Sequence, residues 1–210
     1  MASMRKPPCC KVVLLGDSGV GKTCIISRYI SGTFDQNSPS TNGASYASKI
    51  IAFEQLNKQI SLDIWDTAGQ EKYKSLTKFF YKDAAVAILV YDITQKDSFD
   101  NMKTYWLEQL KEFGSKGIIM GVAGNKCDMY EKEAVNENDA REFADSIGAF
   151  FNVTSAKNNT GINDLFMTAA NKFVDPNYKA DSGEEKNANG GHGGVKLNNT
   201  EKKKEKKGWC

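Results

Sequence analysis

Eight residues limit what this chain can fold into more than any others do. Gly16 to Thr23 reads GDSGVGKT, which fits the spacing G-x-x-x-x-G-K-[ST]. The apolar run CKVVLL precedes it and CIISRYI follows with a helical pattern, so the turn joins a strand to a helix. The glycines let the backbone from Ser18 through Gly19, Val20, Gly21 and Cys24 wrap a polyphosphate with its N–H groups inward. The helix N-terminus adds a favourable dipole. Lys22 can neutralise β/γ oxygens, and the Thr23 hydroxyl can ligate Mg²⁺. An ordinary Gly-rich turn is the alternative, and the strand and helix in register argue against it.

The remaining organisation suits an α/β domain. CKVVLLGD (9–17), AAVAILVYD (84–92) and GIIMGVAGN (117–125) are nearly all apolar, as for strands buried on both faces of a parallel sheet. ISLDIWD alternates, and KIIAF (49–53) precedes it across a hairpin loop, so this pair is expected to be antiparallel at one sheet edge. Phe99, Met102, Trp106, Leu110 and Phe113 recur at helical spacing, as do Ile162, Leu165, Phe166, Ala169, Ala170 and Phe173. Both stripes read as core packing. From Asp175 the chain is rich in Gly, Asn, Lys and Glu, which predicts a disordered tail with His192, the single histidine, as a linker residue. The expected divisions are an N-terminal extension 1–8, a domain 9–174 and a tail 175–210.

Composition excludes several classes. A net charge of +2 over 210 residues is too small to argue for nucleic acid. No signal-peptide segment precedes Gly16 and no later run approaches a membrane span, so a cytosolic chain is expected. The cysteines fit neither a disulfide framework nor a zinc spacing; Cys9, Cys10, Cys24 and Cys127 read as small apolar residues. The sequons at Asn152, Asn158 and Asn198 read as chance matches.

Two further motifs concern the base. NKCD, containing Asn125, Lys126 and Asp128, ends an apolar strand, where open α/β sheets place ligands. An aspartate can accept from both N1–H and the 2-amino group of guanine, and adenine has no such donor pair. SAK, formed by Ser155, Ala156 and Lys157, follows the strand FFNVT and can offer a backbone N–H to guanine O6.

Across roughly residues 9–174 the chain resembles the small GTPases of the Ras superfamily, and within it the Rab family. WDTAGQEKYKSLTKFFYKDA and LVYDIT are similar to the segments that mark Rabs, and STNGASY is nearest to the endosomal branch. The resemblance implies a three-layer G domain of the P-loop NTPase type: a mostly parallel six-stranded sheet with one antiparallel edge strand and helices on both faces. It implies GTP/GDP with Mg²⁺, hydrolysis to GDP and phosphate, and a switch that recruits effectors in vesicle and endosomal trafficking. By the same match Asp66 holds Mg²⁺ through water, the Gly69 N–H bonds the γ-phosphate and Gln70 orients the attacking water. Thr41 matches the threonine whose hydroxyl ligates Mg²⁺, and Phe34 the aromatic against the guanine ring. Tyr46, Trp65 and Tyr81 match an effector-reading aromatic trio, with core packing an equal reading for Trp65.

The resemblance also carries departures and partners. Asn42 stands where Rabs usually have an apolar residue at the effector-facing bend, Lys72 replaces an arginine, and Asp83 stands where glycine is common. No arginine lies between Gly32 and Thr41, so slow hydrolysis assisted by a partner is expected. The implied partners are an exchange factor, a GTPase-activating protein and effectors. Prenylation of Cys210, with nearby lysines, implies membrane attachment and a GDP-dissociation inhibitor or escort protein. No nucleic acid is expected, and the protein reads as a monomer cycling between cytoplasm and the cytosolic face of endosomal membranes. Rival readings are a non-cycling GTP-bound scaffold, another Ras-superfamily branch, and a nucleotide kinase. The kinase would need an arginine-rich lid, and Arg5, Arg28 and Arg141 are the only arginines.

Overall fold

The computed structural model describes residues 6–41, 43–67 and 80–178, without the Gln55 side chain. Asn42, Gly69, Gln70, Lys72 and Cys210 lie outside the described residues. Six strands form one sheet in the order β2-β3-β1-β4-β5-β6. They are β1 (Cys9–Leu15), β2 (Ala44–Phe53), β3 (Lys58–Thr67), β4 (Val86–Asp92), β5 (Ile119–Asn125) and β6 (Phe150–Val153). Only the β2–β3 pair is antiparallel. The helices are α1 (Lys22–Ser31), α2 (the consecutive segments Lys96–Asn101, Met102–Trp106 and Leu107–Phe113), α3 (Glu137–Ser146) and α4 (Ile162–Val174).

Strand alternation decides the layers. Along β1, Cys10, Val12 and Leu14 enter one core cluster while Val13 and Leu15 enter the other, because neighbouring side chains point to opposite faces. α1 and α4 close the first cluster; α2 and α3 close the second. Tyr29 of α1 and Phe166 of α4 stack with ring centroids 4.1 Å apart, which locks those helices together. Every strand that carries a motif residue therefore ends at the same rim of the sheet.

Three features depart from the sequence pattern. β2 begins at Ala44, five residues before KIIAF, because Tyr46 and Ser48 pair across the ladder with Trp65 and Asp63. Its first half, ASYAS, has no apolar alternation, so pairing rather than propensity makes it a strand. α3 buries only Ala140 and Ala144, too few for a visible stripe, and starts on the Asn136 side chain accepting from the Asn138 N–H at 2.8 Å. Cys9 is exposed and its thiol donates to Asp63 Oδ2 at 3.0 Å, so among the four described cysteines the core reading holds fully for Cys10 alone. Asp83 has φ 59, which explains why a glycine would suit that turn.

The Tyr29–Phe166 contact gives a stability test. Phe166→Ala removes a fully buried ring and should cost about 3–5 kcal/mol by chemical denaturation of the nucleotide-loaded protein; a loss below about 1 kcal/mol would show that the stack does not hold the two helices.

Candidate functional site

The Gly-rich turn, the ends of β5 and β6 and the loop before β2 enclose a cleft of about 330 Å³. Ser18, Gly19, Gly21, Lys22, Thr23, Cys24, Phe34, Thr41, Asn125, Lys126, Asp128, Ala156 and Lys157 all line it. Gln36, Ser38, Pro39, Ser40, Thr67 and Met129 line it too, none of which the motifs singled out. Asp35 shapes the loop before β2: its Oδ1 accepts from the Asn37 N–H at 2.8 Å.

Two glycines of the turn are dictated by space. A Cβ on Gly16, at φ +146, would lie 2.2 Å from the Val90 carbonyl oxygen, and one on Gly21, at φ +97, 2.4 Å from Asn125 Nδ2. Gly21 caps α1 without a side-chain hydrogen bond, so first-turn N–H groups of α1 stay available at the cleft. Lys22 is buried and donates to the Gly16 and Asp17 carbonyls at 2.7 and 2.8 Å. Burial pushes its ammonium down to about 8, against the opposing pull of Asp66 and Asp17. A polyphosphate would add negative charge beside the ammonium and favour its charged form.

At the far side of Lys22 three oxygens converge. Thr23 Oγ1 lies 2.7 Å from Thr41 Oγ1, and the two hydroxyls reach Asp66 Oδ2 at 2.7 and 3.1 Å. Two hydroxyl protons cannot serve three short contacts. Asp66 is 1% exposed, its Oδ1 has no hydrogen-bond partner among the described residues, and burial pushes its carboxyl above the usual carboxylate range despite Thr23, Lys22 and Thr41. Octahedral Mg²⁺ sets adjacent ligand oxygens about 2.9 Å apart. The Thr23–Thr41 spacing matches that edge and the orphaned carboxylate supplies the charge, so the residues fit the cation. Among the described residues no three His, Cys, Asp or Glu side chains group as a metal site. Hydroxyls, one carboxylate and phosphate oxygens would have to complete this one.

The base end is built by cross-links. Asn125 Nδ2 donates to the Val20 carbonyl at 2.8 Å and its Oδ1 accepts from Thr154 at 3.2 Å, tying β5 to the Gly-rich turn. Lys126, held at φ 68, pairs with the buried Asp92 at 2.7 Å. Asp128 Oδ1 accepts from Ser155 Oγ at 2.6 Å, which aims the carboxylate. Ser155 itself does not line the cleft: its N–H donates to the Thr160 carbonyl and its hydroxyl is spent on Asp128. Val20 likewise turns its side chain into the core.

The sequence motifs missed Arg28 and Asp92. Arg28 Nε donates to the Ala156 carbonyl at 2.7 Å and Nη2 to that of Lys157 at 3.1 Å, while Nη1 bonds Gly32. It pins the SAK loop to α1 across 128 residues of sequence. The aromatic trio needs a correction. Tyr81 is fully buried, so it cannot face an effector; Phe80, one residue earlier, is part-exposed and its ring lies 5.7 Å from Trp65. Tyr46, 54% exposed, meets Trp65 edge-on at 5.3 Å, so Trp65 serves both core and surface.

This fold and cleft define a nucleotide-binding protein of the phosphate-loop class. A model of the Ras family matches residues 11–175. Ras-related protein Rab-31 of Rattus norvegicus is 43% identical over 192 residues, covering 90% of this chain and 91% of that protein. Ras-related protein Rab-22A of Homo sapiens is 42% identical over 174 residues, covering 82% and 88%. Ras-related protein Rab-31 of Mus musculus is 44% identical over 190 residues, covering 90% and 91%. The chain belongs to the Rab branch of the Ras family and is a small GTPase.

Loosening the SAK loop should weaken binding through the base. Arg28→Ala is expected to raise the dissociation constant for GDP about tenfold in a fluorescence titration. Arg28→Lys should recover only part of this, because a point charge cannot serve two carbonyls in a fork. An unchanged affinity in the alanine variant would remove Arg28 from the site.

Proposed function

We propose that the cleft holds GTP or GDP with Mg²⁺ and that Thr41 makes the protein a switch. The carrying observation is the contact of Thr41 with both Thr23 and Asp66, which joins the loop before β2 to the phosphate end of the cleft. Ser18 to Cys24 offer backbone N–H groups to the phosphates and Lys22 its charge. Asp128 reads the guanine edge, Phe34, Lys126 and Lys157 flank the ring, and Ala156 faces O6. Thr23 and Thr41 would ligate the metal and Asp66 would hold it through water, and the ion would supply positive charge to the phosphate oxygens. The Gly69 N–H contacts the γ-phosphate, and Gln70 orients the attacking water and holds it in line with the γ-phosphorus.

Charge on the transferred group is incompletely met within the chain. Arg28 is committed to three carbonyls and Arg141 pairs with Glu137, so neither described arginine can reach the γ-phosphate. Intrinsic hydrolysis on the order of 10⁻⁴ to 10⁻³ per second follows, with an arginine supplied by an activating protein. Asn42, Tyr46, Trp65 and Phe80 are the residues that effectors read. An exchange factor reloads GTP. The protein acts as a monomer at the cytosolic face of endosomal membranes, held by a prenyl group on Cys210 and extracted by a GDP-dissociation inhibitor. Among the described residues no helix is long and apolar enough to cross a membrane. The 175–210 segment serves as the tether of the 9–174 domain.

Thr41→Ala tests the reading. It should weaken Mg²⁺ binding to the GTP complex about tenfold, from loss of a charge-assisted contact, and leave the GDP complex nearly unchanged. Magnesium titration against release of a fluorescent nucleotide reads both. Equal weakening of the two complexes, or single-turnover hydrolysis within seconds by the chain alone, would overturn it.

A further inference from the structure

Asp17 of the Gly-rich turn does not line the cleft; its side chain bonds a neighbouring helix. Its Oδ1 accepts from the Trp106 indole N–H at 2.8 Å and its Oδ2 from the Asn101 amide at 2.8 Å. Both donors lie on α2, 84 and 89 residues away in sequence. The Asp17 carbonyl meanwhile accepts from Lys22 Nζ at 2.8 Å. One residue thus joins α2 to the phosphate-neutralising lysine.

The shape of α2 explains how both donors reach one carboxylate. Residues five apart on an α-helix are separated by about 140° around the axis, so Asn101 and Trp106 would face different directions. Met102–Trp106 is a π-helical segment, and the Leu107 N–H bonds the Met102 carbonyl. That wider turn brings positions five apart closer to one face than an α-helix would. A π-turn has an unfavourable geometry for an isolated helix and tends to mark function. Trp106 is 1% exposed, so its ring is core while its single polar atom is spent on Asp17.

We infer that Asp17, Asn101 and Trp106 form a brace that holds the phosphate-binding turn in its wrapped shape, making the three positioning residues that set the rate of nucleotide release. This rests on the nucleotide-binding reading above. With the carboxylate fixed by two charge-assisted bonds, the turn starts at a set position before ligand arrives, and less ordering entropy opposes binding.

The test uses the full chain loaded with GDP and Mg²⁺. Asp17→Ala and the surface change Asn101→Ala should each speed GDP release about tenfold. Combining them should be no faster than Asp17→Ala alone, since both break the same contact. Asp17→Asn, which keeps an acceptor for the indole, should fall between wild type and Asp17→Ala. The ³¹P resonance of the bound β-phosphate should move in each fast variant, a readout that general loss of stability does not shift. Additive effects, unchanged release, or faster release with an unmoved β-phosphate resonance would each overturn the brace. Failure of the wild-type chain to retain GDP would instead overturn the binding reading with it.

Discussion

A buried carboxylate at the phosphate end of the cleft is the constraint on which this architecture turns. Asp66 sits at the end of β3, almost wholly removed from solvent, with one oxygen unpartnered among the described residues and the other shared by two hydroxyls. Burying such a group is costly unless charge is brought to it. Lys22 is close enough to help yet is itself buried with its ammonium pushed down, so each group gains from a further opposite charge, a phosphate beside the lysine and a metal beside the aspartate. A ligand that carries both at once satisfies the two together.

The rest of the site keeps that chemistry in place by cross-linking loops that the sheet alone would leave independent. Asn125 fastens β5 to the turn after β1, Thr154 fastens β6 to Asn125, and Arg28 fastens the loop after β6 to α1. These links close a ring around the cleft, so no single loop can drift without stretching its neighbour. Asn125 and Arg28 each donate to a backbone carbonyl, while the Thr154 hydroxyl donates to the Asn125 side-chain oxygen.

How much of this was legible in the sequence depends on whether the information is local. The phosphate turn was, because its spacing is itself the geometry: glycines where backbone must pass Val90 and Asn125, then a lysine and a hydroxyl at the start of a helix. Buried parallel strands were also plain, as was the antiparallel edge pair. Arg28 was not, because its partners lie over a hundred residues away and an arginine on a helix reads as solvated surface. Trp106 was placed correctly in the core, yet periodicity says nothing about where an indole N–H points. Phe80 and Tyr81 show the sharpest limit. On a helix a one-residue slip turns a side chain about 100°, enough to exchange an exposed ring for a buried one.

The aromatic face and the oxygen cluster share the same stretch of sheet. Ala44 pairs with Thr67, Ser45 with Asp66 and Tyr46 with Trp65, so the ladder begins three residues after Thr41. A loop that lets go of Asp66 can therefore move only as far as Ala44; beyond that, ten paired positions hold β2 to β3. Tyr46 and Trp65 are thus a fixed platform on which Ser48, Ser61 and Cys9 further hold Asp63 by hydrogen bonds. Phe80 differs, since its ring meets Trp65 at 5.7 Å without belonging to the β2–β3 ladder. Of the three rings, Phe80 alone lies outside that ladder, so it alone can shift against Trp65 without breaking strand pairing.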